Sequence, residues 1–432
     1  MFKKFKGHYS KRKERKTDRD VMSYEDMPLD DYEQEKTEMS PQAVKKIVIG
    51  FCIALAAGLV VFAFANRDKL TLENISNWWT YDVLGNAGHG YPVDIVGSEV
   101  SSGNFAVSQG HAVYASDTSF VTLTNSGSEA ARIQLAHSNT VMKSADNRFL
   151  TFGLGGTSYE INSFDEKLYS GNAEDKIYTG DIAANGTYCL VTEDNGYLTT
   201  LYAYSKNNNR IYKYSFSEYY ITSVAIKSDG TGCVACGVSS EKGTVVTGVY
   251  VLDFNSEKPV SSYVIAGDSI FDCKYLTSDT SVLIGTGASY IVKNGDENYK
   301  KISYDDKSLA NYCFNTDTAT YTLALSKSGD GRSVVLNGYN SSGEAQYSIS
   351  TEHKADSLSV YKGTVAILDA NIVYGYNQNG DVLYSSNTGT GSKKVVLSSD
   401  YTAYILSVNQ IRFIKLNETS SYDTAQNTAG QE

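Results

Sequence analysis

The stretch SDGTGCVACG, residues 228–237, carries Cys233 and Cys236 in the C-x-x-C spacing of thiol redox centres and of half a zinc site. No second C-x-x-C exists to complete four zinc ligands. Beyond residue 65 the histidines are His89, His111, His137 and His353; none forms H-E-x-x-H, and none adjoins a cysteine pair. Residues 239–242 read SSEK, the S-x-x-K of penicillin-binding enzymes. That chemistry needs a helix to bring Ser and Lys to one face, and the accompanying S-D-N and K-T-G elements are missing. KSGDGRS, residues 327–333, is Gly-rich like a phosphate or calcium loop but lacks the Lys-Ser/Thr of the first and the ligand series of the second. A hairpin turn accounts for both stretches. Aspartate and glutamate are too plentiful for any carboxylate pair to single itself out as a glycosidase couple. No catalytic residue, metal ligand or cofactor site is therefore assigned.

The elements that must position these residues are strands. The 432-residue chain has four Pro, 36 Gly and 34 Tyr, a composition that favours strands and tight turns over helices. From residue 91 onward a pattern recurs at the period of propeller blades. DIAANGTYCLVTE, VAIKSDGTGCVACG, CKYLTSDTSVLIGT, CFNTDTATYTLAL, LSVYKGTVAILDA and KVVLSSDYTAYILSV each give a short strand, a polar turn and an apolar strand; NFAVSQGHAVYASD and VMKSADNRFLTFGL are looser copies. A second hairpin follows in most, as in LYAYSKNNNRIYKYS and IVYGYNQNGDVLYS. The pattern predicts an all-β propeller of eight four-stranded blades over residues 91–418, with seven blades as the alternative. The innermost strands are expected to be apolar on both faces, covered by neighbouring blades. The last copy ends at QIRFIKLN without a fourth strand, and YPVDIVG at residues 91–97 is a strand without a blade, so pairing the two would close the ring. On this register SDG is a turn and CVACG a strand. Side chains three apart on a strand point to opposite faces with Cα atoms roughly 10 Å apart, beyond the reach of a disulfide. The outer cysteines then read as small apolar fillers.

Ahead of the repeats, residues 47–65, IVIGFCIALAAGLVVFAFA, run without a charge. As a helix they rise about 28 Å, close to a bilayer's hydrocarbon core, so one transmembrane helix is expected. Residues 1–46 carry 12 Lys and Arg, which predicts a cytoplasmic N-terminus and an extracytoplasmic propeller. Reduced thiols suit a cytoplasmic domain as well, the reverse topology. Residues 1–46 split into a basic half and an acidic half with few apolar residues. They read as a disordered charged tail, either a topology determinant or an arm for anionic lipid or a cytoplasmic partner. Residues 66–90 form a juxtamembrane linker, and residues 419–432 a second disordered tail. The net charge of -11 and the lack of a basic stripe after residue 70 argue against nucleic acid as a partner.

A single N-terminal span followed by S-D-x-T-x-Φ repeats resembles an uncharacterised family of bacterial single-pass membrane proteins with a propeller-like (WD40/YVTN-like) extracytoplasmic domain. The resemblance covers roughly residues 45–418 and implies a location rather than a reaction. Tryptophan-docked, W-D and S-x-D-x-G-x-T-W blades are absent from the repeats.

Connections between blades, such as SEYYIT, open on the same face as the loops at 193–197 and 327–332, the usual binding face of this architecture. The candidate contacts for a ligand or partner are Tyr219, Tyr220, Asp305, Asp306, Asp330, Arg332 and His353. For the tyrosines, packing between blades competes with stacking on a sugar or peptide. The leading functional reading is a non-catalytic binding or scaffold module for a protein or a cell-envelope polymer. An enzyme acting on envelope carbohydrate or peptide, and a sensor coupling the propeller to the tail, are the alternatives.

Overall fold

The computed structural model describes residues 41–65, 90–327 and 331–416. The chain divides into two units, Met1–Arg67 and Asp68–Glu432. In the first, a 25-residue helix α1 covers Pro41–Ala65. Among the described residues no helix is long and apolar enough to cross a membrane. The expected tail at 1–46 lies outside the described residues as far as residue 40, and its remainder from Pro41 falls in α1 rather than in a disordered segment; the linker expected at 66–90, up to residue 89, and the tail at 419–432 also lie outside the described residues.

The second unit is an eight-bladed propeller of four-stranded antiparallel sheets. Seven sheets take four strands in sequence order, from the innermost outward, as in Phe105–Ser108 (β2), His111–Ala115 (β3), Ser119–Leu123 (β4) and Glu129–Gln134 (β5). The eighth combines Ser392–Ser399 (β30), Thr402–Ser407 (β31) and Gln410–Lys415 (β32) with Val93–Asp94 (β1). Val93 pairs with Ile411 and Asp94 with Gln410. The Ile95 N–H extends this ladder by donating to the Asn409 carbonyl at 2.9 Å.

A sheet of this size cannot bury its apolar residues within itself, so the cores form between blades. There are eight, one at each junction. Between the last and first blades, Tyr404, Leu406 and Ile411 pack on Phe105, Ala112 and Tyr114. Second strands are buried over most of their length, as in β3, Tyr188–Thr192 (β11) and Thr280–Gly285 (β19), because a neighbouring sheet covers each face. The innermost strands differ from expectation. They carry charges, as in Ile177–Ile182 (β10, IYTGDI) and Ile270–Tyr275 (β18, IFDCKY), because part of each lines a channel where opposite charges meet.

Candidate functional site

Blades that run from the centre outward give the ring two unlike faces. Turns from first to second and third to fourth strands open on one, the turn face. Second-to-third hairpins and blade-to-blade connections open on the other, the connection face. Tyr219, Asp305, Asp306, Arg332 and His353 lie in connections or hairpins of the connection face. Tyr220 is the first residue of Tyr220–Ile226 (β14) rather than part of the connection, at that same end. Asp330 lies outside the described residues.

These residues do not form one site. Tyr219 is only 5% exposed. Its ring covers Gly248, where a Cβ would fall 2.6 Å from it, and its own Cβ lies over Gly237. Its phenol is raised first by burial and then by the Glu241 and Glu218 carboxylates. The residue is packed, not presented. Asp305 and Asp306 have φ of 51° and 61°, so they bend the connection through the left-handed region that Asp tolerates. His353 stacks on Tyr374, with ring centroids 3.6 Å apart, and holds Nδ1 3.6 Å from the Asp369 carboxylate. Arg332 is exposed beside the undescribed residues 328–330.

Tyr220 alone, 53% exposed, borders an open hollow of about 510 Å³. Leu198, Val238, Val245, Ser239, Ser240 and Ser269 line the rest. Its wall is a hairpin of the longest strands among the described residues of the ring, Gly232–Glu241 (β15) with Thr244–Asp253 (β16), ten residues each. Lys242 and Gly243 turn it with φ of 49° and 81°, the positive pair that a two-residue type I′ turn demands. β14 pairs with β15 only as far as Val238, and Ser261–Ala266 (β17) pairs with β16 only back to Val246. Residues 239–245 therefore stand proud of their own sheet.

Sequence reading missed this feature, although a legible signal existed: the strand pattern around SSEKGT outruns every other blade's. Ser239 lies in the strand and Lys242 at its turn, so the S-x-x-K match has no helix beneath it. The Cys pair is resolved likewise. Cys233 packs into the core towards the third blade and Cys236 into the core towards the fifth, both fully buried. Burial pushes both thiols well above their ordinary range, which denies them thiolate chemistry.

The channel is a second region that spacing could not show. Lys274 reaches across to Asp181 at 3.7 Å, and the Tyr312 hydroxyl donates to Asp272 at 2.7 Å. Burial opposes the charge on Lys143, but the Asp272 and Asp181 carboxylates outweigh it and hold its ammonium above the usual value. These groups compensate one another. Five inner strands, β10, β14, β18, Ser308–Asn315 (β22) and β30, bulge near their connection-face ends, at Tyr178, Thr222, Phe271, Ala310 and Lys393. Such bulges aim side chains at a rim. Among the described residues no group of three or more His, Cys, Asp or Glu is placed to hold a metal ion.

The family of unknown function DUF5711 matches residues 89–416. No curated protein matches the chain by sequence. Among solved structures, apo AztD from Citrobacter koseri is similar at 8% identity and a TM-score of 0.49, over 68% of this chain and 88% of that one. The C-terminal WD40 domain of Sif2 is 14% identical with a TM-score of 0.47, over 62% and 78%. The β-propeller domain of Cps50 (Swd1) from Myceliophteria thermophila is 6% identical with a TM-score of 0.47, over 76% and 100%.

Proposed function

The chain belongs to the family of unknown function DUF5711, and we propose that it is a membrane-tethered, extracytoplasmic propeller, locked where β1 meets β32, that binds a protein or envelope polymer on its connection face. The observation that carries this reading is the hollow beside Tyr220, an apolar-lined recess at the foot of a projecting hairpin. Isolated exposed apolar residues need no explanation, but a recess with several of them on a rigid ring is the form of a binding surface. The uncharged run at 47–65, inside α1, supports the tether, and the 12 Lys and Arg before it support a cytoplasmic N-terminus.

The two faces provide the test. A photo-crosslinking residue at position 220 on the connection face, and one at position 379 on the turn face, are introduced separately into the full chain in its membrane. Binding on the connection face gives a defined adduct from position 220 and background from 379. Equal, background-level labelling at both positions removes the proposal.

A further inference from the structure

The projecting hairpin has an edge that its own blade leaves unpaired. In a strand, backbone N–H and C=O groups of alternate residues point to the same side. The Cys236 carbonyl accepts from the Thr222 hydroxyl of β14 at 3.4 Å, so it faces that strand. Two-residue alternation puts the Val238 and Ser240 backbone groups on the same edge. Val238 is paired with Tyr220, whereas Ser240 is exposed and lies past the last partner β14 supplies; across the hairpin it stands in register with Val245, in a pair whose backbone groups point away from each other. Glu241 sits opposite Thr244 and spends its backbone groups across the hairpin. The other flank is capped, because the Gly267 N–H donates to the Val245 carbonyl at 2.8 Å. Only the inner edge is open, and it overlooks the hollow.

The surrounding charge selects a partner. Glu218 precedes the buried Tyr219 and Glu241 ends β15, and both carboxylates bear on the Tyr219 phenol. The loop that brings Leu198 to the hollow also carries Glu193 and Asp194. Glu193 is paired with Lys176 at 3.3 Å, Asp194 accepts from the Gly196 N–H and the Thr200 hydroxyl with the Lys213 ammonium bearing on it, and Lys242 is the one base of the projection. The recess is thus apolar at its floor, with the Glu218 and Glu241 carboxylates beside it.

We infer that the inner edge of the projection takes an extended basic peptide by strand addition, pairing at Ser240 and seating one apolar side chain beside Tyr220, Leu198 and Val245. This mode draws affinity from main-chain bonds and specificity from alternate side chains. It rests on the reading that the connection face binds, and it names the partner's chemistry.

The test uses the full chain in detergent micelles and fluorescence anisotropy of a labelled peptide, Lys-Val-Lys-Leu-Lys-Val-Lys, with Glu replacing every Lys as the counterpart. The basic peptide is expected to bind saturably and the acidic one not to bind. N-methylation of the central Leu removes one main-chain donor and should weaken binding about tenfold. Ser240→Pro removes the protein's donor on the open edge without touching the bonds to β16, a position where a strand tolerates proline; it should weaken binding by a similar factor while leaving the thermal midpoint close to wild type. Binding that ignores both changes is charge attraction without strand addition and overturns the proposal. Absence of binding by either peptide overturns it as well. A position-220 adduct obtained alongside that result leaves the connection-face reading standing, so the two failures are distinguishable.

Discussion

On the turn face, equivalent positions do equivalent things. Asn340 accepts from the N–H groups of Ser342 and Glu344 and donates from Nδ2 to the Glu344 carboxylate at 2.9 Å. One blade on, Asn377 does the same with Asn379 and Asp381, at 2.8 Å to the carboxylate. On the connection face, equivalent positions diverge. Tyr219 is packed under a hairpin, Asp305 and Asp306 bend a connection, and His353 is stacked on a tyrosine. A turn that only reverses the chain can reuse one solution, as these two successive blades do. A connection that also presents a surface has as many solutions as it has tasks.

The comparison would be too simple if the whole connection face were devoted to presentation, and Asp268 is where it can be broken. This buried carboxylate, in the connection before β18, accepts from the N–H groups of Ser269 and Thr286 at 2.8 Å each. It also accepts from the Thr286 hydroxyl at 2.6 Å, the Gly287 N–H at 3.2 Å and the Tyr290 hydroxyl at 2.9 Å. Asp268→Ala leaves those donors without an acceptor, and the expected loss is about 3–5 kcal/mol in urea unfolding, with Asp268→Asn recovering part of it. A loss below about 1 kcal/mol would mean that water satisfies the connection and that it is not a structural anchor.

His137, in the connection between the first two blades, gives the next effect. Its Nδ1 lies 2.7 Å from the Ser158 hydroxyl, and burial, followed by the Lys167 ammonium, lowers its pKa to about 4. An unfolded imidazole takes up its proton near pH 6.5, whereas the folded one stays neutral down to about pH 4. Stability present above pH 6.5 is therefore lost as the pH falls through that window, at up to about 1.4 kcal/mol per unit. Unfolding free energies at pH 7 and 4.5 should differ by less in His137→Gln than in the wild type. An unchanged difference would assign the acid sensitivity to other groups.

The eight-bladed, four-stranded architecture was legible because a blade repeats its hydrophobic pattern and its turn chemistry, as SDG before CVACG illustrates. The charge in the innermost strands was not: periodicity shows that Asp181 and Lys274 alternate with apolar neighbours, but not that they meet across a channel. The candidate site was legible as a face and not as a set. Tyr219 and Tyr220 are adjacent in sequence and identical in composition, yet opposite in exposure, because the former lies under Gly248 and the latter at the open end of β14. Only the fold decides which of two neighbouring tyrosines is offered to a partner.

The smallest stability effects sharpen the comparison most. Asn377→Ala removes a turn cap whose loss should cost about 1 kcal/mol, since the backbone donors it satisfies are exposed to water. It should leave the position-220 adduct and peptide binding unchanged, because the turn lies on the far face. Tyr220→Ala should behave in the opposite way. Its exposed ring stabilises little, so the unfolding free energy should move by less than about 0.5 kcal/mol, while basic-peptide binding should fall at least fivefold as the hollow loses its largest lining side chain. The pair forms a crossed design measured by urea unfolding and anisotropy. If Tyr220→Ala destabilised the fold as much as Asn377→Ala and left binding intact, the exposed tyrosine would be another piece of blade packing, and the division of labour between the faces would have to be redrawn around the channel rim at Tyr178, Thr222 and Phe271.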